Sequence, residues 1–333
     1  MIRRMIVVTG GAGFIGSNIV ARLCAEGRRD IVVCDRLETA DLGKWKNLAK
    51  HPIADFWEPE ELFDQLERNA ERIEAVVHMG AISSTTEQDA DLILRTNFSL
   101  SRDLWAWCAL RDARLIYASS AATYGDGGLG FEDQDDLRSL SALRPLNAYG
   151  YSKYLFDQYA ARQAQSRTAP TQWAGLKFFN VYGPNEYHKG GMKSVVAQIW
   201  PKVQADQPVT LFRSHNLNYA DGGQMRDFVL VDDVVDMIEW LLETPEVSGV
   251  FNAGSGQARS FLDLANATFA AAGKTPRIEY VDTPESIRDK YQYFTEARME
   301  RVRAAGFNGQ STPLEEGVRR YVQDFLAKAD PYR

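Results

Sequence analysis

Met5-Ile6-Val7-Val8-Thr9-Gly10-Gly11-Ala12-Gly13-Phe14-Ile15-Gly16-Ser17 is the stretch on which the fold turns. Its first four residues are apolar and β-prone, the size of one buried parallel strand. Gly10, Gly13 and Gly16 then follow in G-x-x-G-x-x-G spacing, and Ser17 to Ala25 reads as a helix. Glycine permits a tight turn and lets backbone N–H groups approach a pyrophosphate, while a helix N-terminus adds partial positive charge. Working outward, Ile31-Val32-Val33-Cys34-Asp35 is a second strand that ends on an acid 19 residues after Gly16. That is close to the ~20 expected of the carboxylate that meets a ribose hydroxyl. Strand, loop, helix, strand and acid in this order predict a dinucleotide site. Asp35 favours a free 2′-hydroxyl, and so NAD. Its neighbour Arg36 suits a 2′-phosphate, and so NADP. These two residues leave the choice open.

The same stretch has a superficial second reading. Arg3-Arg4 precedes an uncharged run from Met5 to Ala21, as in a signal peptide. Gly10, Gly11, Gly13 and Gly16, with Thr9, Ser17 and Asn18, make that run a poor hydrophobic helix, and it is too polar to span a bilayer. A cytoplasmic protein is expected. The chain has 333 residues, 45% hydrophobic and 25% charged, which suits a folded globular protein of about two domains. Its net charge of −7 disfavours a general nucleic-acid binder. Three cysteines without a C-x-x-C pair and four scattered histidines give neither a disulfide scaffold nor metal-ligand spacing. Cys24, Cys34 and tryptophans such as Trp45, Trp105, Trp107 and Trp240 read as packing residues.

Further strands are expected at Ala75–His78, Arg114–Ser119, Gly175–Phe179, Phe228–Val231 and Val250–Gly254, with helices over Leu92–Leu110 and Tyr149–Arg162. The alternation implies an α/β fold, a doubly wound parallel Rossmann sheet with a smaller α/β substrate lobe. The expected division is 1–179 with 226–254 for the dinucleotide domain, and 180–225 with 255–333 for the lobe. The polar segment from Ser214 to Gly223 reads as an exposed loop.

Tyr149 and Lys153 stand four apart and share a helix face. A nearby ammonium favours the phenolate and makes tyrosine a usable base. Ser120, just after a strand, is placed to bond an oxygen undergoing oxidation. His78, at a strand end, reads as structural.

On the glycine loop, His78-Met79-Gly80-Ala81, Asn97, Ser120, Tyr149/Lys153, Asn180-Val181-Tyr182-Gly183-Pro184 and Arg226-Asp227-Phe228-Val229, the chain resembles the short-chain dehydrogenase/reductase superfamily. The likeness is to its extended branch, which modifies nucleotide sugars. A narrower set resembles the ADP-L-glycero-D-manno-heptose 6-epimerase family: Ser83 to Glu87, Tyr117 to Gly125, Pro145 to Lys153, His188-Lys189-Gly190 and Lys290 to Thr295. That resemblance implies inversion at C6 of an ADP-linked heptose, a precursor of lipopolysaccharide inner core, by transient oxidation on a tightly held nicotinamide cofactor. NADP is the family's common choice, with NAD the alternative. It also implies a homo-oligomer, often a pentameric ring.

By position, the resemblance makes Tyr149 and Lys189 the acid/base residues, with Lys153 tuning Tyr149 and holding the nicotinamide ribose. It assigns the cofactor to Gly10, Gly13, Phe14, Ile15, Gly16, Asp35, Arg36 and Lys44, to Met79, Gly80, Ala81, Ile82 and Ser83, and to Asn97, Lys153 and Val181. The substrate falls to Ser120, Asn180, Gly191, Gln198, Phe212, Arg213, Ser214, His215, Arg226 and Tyr291. Gly191 and Gln198 depart from the family's frequent Ser and His. A UDP-hexose 4-epimerase is the nearest alternative. A 4,6-dehydratase is disfavoured because Ala121-Ala122 replaces the carboxylate pair after Ser120, and a non-catalytic cofactor sensor because Tyr149 and Lys153 are kept.

Overall fold

Six strands alternate with helices before residue 179 in the computed structural model, which describes residues 4–37, 43–85, 87–288 and 292–333. They are β1 (Met5–Thr9), β2 (Ile31–Cys34), β3 (Asp55–Trp57), β4 (Ile73–His78), β5 (Arg114–Ser120) and β6 (Trp173–Phe178). After them come β7 (Asn180–Tyr182), β8 (Val209–Phe212), β9 (Met225–Leu230), β10 (Gly249–Ala253), β11 (Ala258–Ser260) and β12 (Ile278–Val281). The large sheet has the order β10-β6-β5-β4-β1-β2-β3, and every pairing in it is parallel. Chain order reverses between β1 and β4, so their carboxyl ends open the crevice where doubly wound sheets bind ligands.

The continuous apolar runs of β1 and β2 follow from cover on both faces. Ile6 and Val8 pack on one side with Ile19, Leu23, Val234 and Ile238. Met5 and Val7 pack on the other with Leu104, Trp105, Cys108 and Phe156. Successive residues of a strand point to opposite faces, which divides β1 between these two cores. Trp105 and Trp107 are buried packing residues, and all three cysteines are buried and free.

The smaller lobe holds a three-stranded sheet, β11-β9-β7, and the pair β12-β8. Its core includes Val196, Trp200, Phe228, Leu264, Phe269 and Tyr321. Two features differ from the sequence reading. The helix over Leu92–Leu110 contains a π-wound stretch, Leu94–Ser99. β9 pairs with β7 and β11 and not with the large sheet, while Ala297, Met299 and Val302 pack into the large sheet's core. Residues on both sides of the expected 226 and 255 boundaries thus cross between the layers. Among the described residues no helix is long and apolar enough to cross a membrane, and no cluster of His, Cys, Asp and Glu could hold a metal ion.

Candidate active site

The glycine loop closes against two pieces of backbone. Gly10 has φ +67°, and a Cβ there would lie 2.6 Å from Gly80 N. A Cβ on Gly16 would lie 2.2 Å from Gly10 O. Gly13 precedes the Phe14–Ala25 helix with no side-chain cap and no acid in the first turn. The helix N-terminus is therefore left to an anion. These features fit a dinucleotide pyrophosphate.

Asp35 follows β2, and its carboxylate is well supplied with donors. Oδ2 accepts from Ala12 N at 2.9 Å, and Oδ1 from Arg36 N and Lys44 Nζ at 2.7 Å each. Lys44 Nζ also donates to Arg36 O at 2.8 Å. The Arg36 guanidinium is exposed and pairs with Glu60, and it lines neither of the two cavities of this site. Asn47 Nδ2 donates to Ala12 O at 2.9 Å and Asn185 O at 3.1 Å, tying the glycine loop to the segment that leads to Lys189.

The loop after β4 is fixed from behind. Thr9 Oγ1 lies 2.6 Å from His78 Nδ1 and accepts from Gly80 N at 3.3 Å. His78 is fully buried, and burial lowers its pKa to about 3, which suits its structural reading. Asn97 Oδ1 accepts from Ile82 N at 2.8 Å, while its Nδ2 donates to Ile82 O at 3.0 Å and Ser152 Oγ at 3.1 Å. Asn97 is expected at the cofactor, but its amide is spent on shaping the loop wall.

Asn147 caps the Ala148–Gln165 helix by accepting from Gly150 N at 2.8 Å. This places Tyr149 in the first turn, where its phenol meets Ser120 at the end of β5, and Lys153 one turn later. Burial raises the Tyr149 phenol's pKa, and a hydrogen bond with Ser120 opposes that rise. Burial lowers Lys153 to about 8, with Asp157 pulling the other way. Burial lowers Lys189 as well, and its ammonium lies 5.3 Å from the Phe14 ring centroid. Buried Glu186 holds the Lys189 loop by accepting from Ser194 Oγ at 2.6 Å and Tyr321 Oη at 2.9 Å. Gly190 makes the next turn at φ +53°.

Two cavities, of 390 and 350 Å³, meet at this point and share Tyr149 and Lys189 as lining residues. All the residues expected at the cofactor line the first, except Arg36, Asn97 and Val181. Val181 lines the second cavity, with Ser120 and Asn180. Gly191 and Gln198 line neither, since Gln198 Nε2 donates to Gly191 O at 3.1 Å and Lys193 O at 2.7 Å. Phe212, Arg213, Ser214 and His215 also line neither. Arg213 pairs with Asp282 at 3.2 Å, and the His215 ring bonds Tyr293 Oη and Arg288 O. The Arg226 guanidinium lies 5.6 Å from the Phe261 ring centroid, and that ring lines the second cavity. Tyr291 lies outside the described residues. Sequence reasoning missed the apolar walls Phe178, Met192 and Phe261, which carried no motif, and Phe228, which lay in a quoted motif without being given a role. It also missed His188, which lines the first cavity 3.3 Å from Asn47 Nδ2 and is lowered by burial to about 4.

A glycine loop at the switch point of a doubly wound sheet, with serine, tyrosine and lysine facing the same crevice, defines a nicotinamide-dependent enzyme of the short-chain dehydrogenase/reductase type. The chain belongs to the NAD dependent epimerase/dehydratase family, whose profile matches residues 6–254. It is 50% identical over 330 residues to the ADP-L-glycero-D-manno-heptose-6-epimerase of Nitratidesulfovibrio vulgaris (strain DP4), covering 98% of this chain and 100% of the relative. The crystal structure of the Helicobacter pylori ADP-L-glycero-D-manno-heptose-6-epimerase matches with TM-score 0.77 at 27% identity, over 97% of this chain and 96% of that one. The Thermus thermophilus UDP-glucose 4-epimerase, in complex with NAD, matches with TM-score 0.75 at 28% identity, over 98% and 99%.

Proposed function

We propose that this chain interconverts ADP-D-glycero-D-manno-heptose and ADP-L-glycero-D-manno-heptose by transient oxidation at C6, using tightly held NADP. The observation that carries this is the meeting of two cavities at Tyr149 and Lys189, one lined by the glycine loop and the other by Ser120 and Asn180. Gly10, Gly13 and Gly16 would hold the pyrophosphate, Asp35 and Lys44 the adenosine ribose, and Lys153 the nicotinamide ribose. Lys44 favours NADP, because the Asp35 carboxylate is already countered and a second anion beside it meets an ammonium. When bound there, a nicotinamide would supply a reversible acceptor for hydride from the sugar carbon.

Tyr149 Oη and Lys189 Nζ handle the proton of the C6 oxygen. One takes it from the hydroxyl as the carbon is oxidised to a ketone. A ketone is planar at that carbon, so inversion would require it to turn its other face to the same hydride, after which the second residue would protonate the oxygen. Two proton-handling groups suit two product configurations, and net redox change is zero. Ser120 orients Tyr149 by their hydrogen bond. Burial lowers the proton affinity of Lys189, with Glu186 opposing, which eases release of a proton from its ammonium.

The same reading takes the enzyme as a cytoplasmic homo-oligomer, a pentamer by family resemblance, that supplies a lipopolysaccharide core precursor. It keeps 1–179 with 226–254 as the cofactor domain and 180–225 with 255–333 as the substrate lobe, with β9 and the 297–302 segment reaching across that division. The test is incubation of NADP-loaded and NAD-loaded protein with ADP-D-glycero-D-manno-heptose, separation of the C6 epimers, and a UDP-glucose control. Conversion of the heptose, lost by about 10²-fold or more in Tyr149→Phe, is expected. Conversion of UDP-glucose alone, or a fully active Tyr149→Phe, would overturn the reading.

A further inference from the structure

Behind the Tyr149–Lys153 face lies an ion pair that the mechanism above does not use. Asp157 and Lys177 are both 0% exposed, and Lys177 Nζ donates to Asp157 Oδ2 at 2.9 Å. Asp157 is one helical turn beyond Lys153 and two beyond Tyr149. Lys177 is on β6, in register with Ser119 of β5. The Asp157 carboxylate also accepts from Ser119 Oγ at 2.7 Å and Tyr117 Oη at 3.2 Å. Lys177 Nζ donates to Thr123 Oγ1 at 2.6 Å, and Thr123 Oγ1 donates to Ser120 O at 2.8 Å. An unbroken chain of polar contacts thus joins the helix that carries Tyr149 and Lys153 to the strand end that carries Ser120. Neither Asp157 nor Lys177 lines either cavity.

An apolar pair of similar size would join helix and sheet without the desolvation cost of two buried charges. It would not place a fixed charge one turn from Lys153. We infer that Asp157 and Lys177 are positioning residues for the acid/base pair: they clamp Tyr149 and Lys153 against Ser120, and the balance of their charges sets the pH at which that pair exchanges protons. This rests on the assignment of Tyr149 and Lys153 made above.

Other ionisable groups approach this cluster from every side. His78 on β4 is held neutral, and Tyr117 on β5 is held protonated, both by burial. Tyr124, Asp133 and Asp135 follow β5. Burial holds Tyr124 protonated and raises Asp133, which Lys177 opposes, and Asp135 bears on Tyr117. Lys189 stands across the cavities. Asp157 is the carboxylate whose charge bears on Tyr149, Lys153, Tyr117 and Tyr124 together, and in each case it raises the proton affinity.

The signs follow from the charges. Asp157→Asn removes the anion and leaves Lys177 uncompensated, so both apparent pKa values of the Tyr149/Lys153 pair fall. Lys177→Met leaves the anion uncompensated, so both rise. The double variant returns them toward wild type, and Lys177→Arg retains wild-type behaviour. Shifts of about one pH unit are expected for each single variant.

Two readouts carry the test. One is the pH profile of turnover. The other needs no substrate: the near-ultraviolet tyrosinate titration of each variant, minus that of the same variant carrying Tyr149→Phe. Shifts of opposite sign for Asp157→Asn and Lys177→Met support the inference. Shifts of the same sign, or none in folded variants, overturn it and leave the pair as structural glue. If Asp157→Asn does not fold, an upward shift in Lys177→Met that is absent in Lys177→Arg supports the inference, and its absence overturns it. If Tyr149→Phe itself keeps full turnover, it is the proposed mechanism that fails. If Tyr149→Phe is inactive and the titrations stay unmoved, only the role of Asp157 and Lys177 fails.

Discussion

Replacing Lys153 by methionine should abolish turnover and yet make the protein more stable. Lys153 is 3% exposed, and burial lowers its pKa from the ordinary 10.5 to about 8. Each unit of that shift corresponds to ~1.4 kcal/mol, so keeping Lys153 charged at neutral pH costs the folded state about 3 kcal/mol. The sign can be followed through the titration. Between about pH 8 and 10.5 the unfolded chain holds a proton on this lysine that the folded chain has lost. Stability therefore rises with pH across that window, and the cost applies in full below it. Methionine keeps most of the apolar stem and removes the charge. Lys153→Met should then exceed wild type by up to about 3 kcal/mol at neutral pH, and the gap should close as pH passes 10.5. The assay is urea unfolding of cofactor-free protein at both pH values, since a ligand that binds only the folded state would add its own stabilisation. A variant that is less stable at neutral pH, or a gap that does not change with pH, would refute the argument. Either result would mean that Asp157 and the surrounding dipoles already repay the ammonium's desolvation.

Two further outcomes follow from burial and from backbone contact. His78 is held at about 3 against an ordinary 6.5, so the folded protein resists protonation that the unfolded chain accepts. Stability should hold above pH 6.5 and fall by up to about 5 kcal/mol as pH drops toward 3. His78→Gln should show a shallower acid slope in urea midpoints, and an unchanged slope would assign the acid loss to other groups. Gly16→Ala and Gly191→Ala should separate sharply. Helix propensity alone would favour alanine at Gly16 by ~1 kcal/mol, but its Cβ would lie 2.2 Å from Gly10 O, so stability and NADP affinity should both fall. A Cβ at Gly191 meets nothing within 4 Å, so that variant should stay within ~0.5 kcal/mol of wild type. Urea unfolding and fluorescence titration with NADP check both.

What could be read from the sequence, and what could not, follows from the range of the contacts involved. β1 and β2 are buried on both faces, so each shows as an apolar run and betrays itself locally, and β4 does so over Ala75–Val77 after Glu74. β3 is three residues with one buried, Trp57, and leaves no such run. Tyr149 and Lys153 are legible because one helical turn brings them together, and Ser120 because it ends a strand. Asn97 and Val181 could be placed near the cofactor by resemblance. A motif does not say which side of a wall a side chain serves, and here Asn97 holds the loop from behind while Val181 faces the other cavity. The groups that hold the site in shape were invisible for a different reason. Asn47 reaches Asn185 across 138 positions, Glu186 meets Tyr321 across 135, and Ser119 meets Asp157 across 38. No local period or spacing records such pairings. Lys177 alone left a trace: a lysine within the strand Gly175-Leu176-Lys177-Phe178, where β6 is buried on both faces. A charge there has to find an opposite charge inside the protein. Its partner Asp157 lies 20 positions earlier on another element, and no local spacing pairs the two.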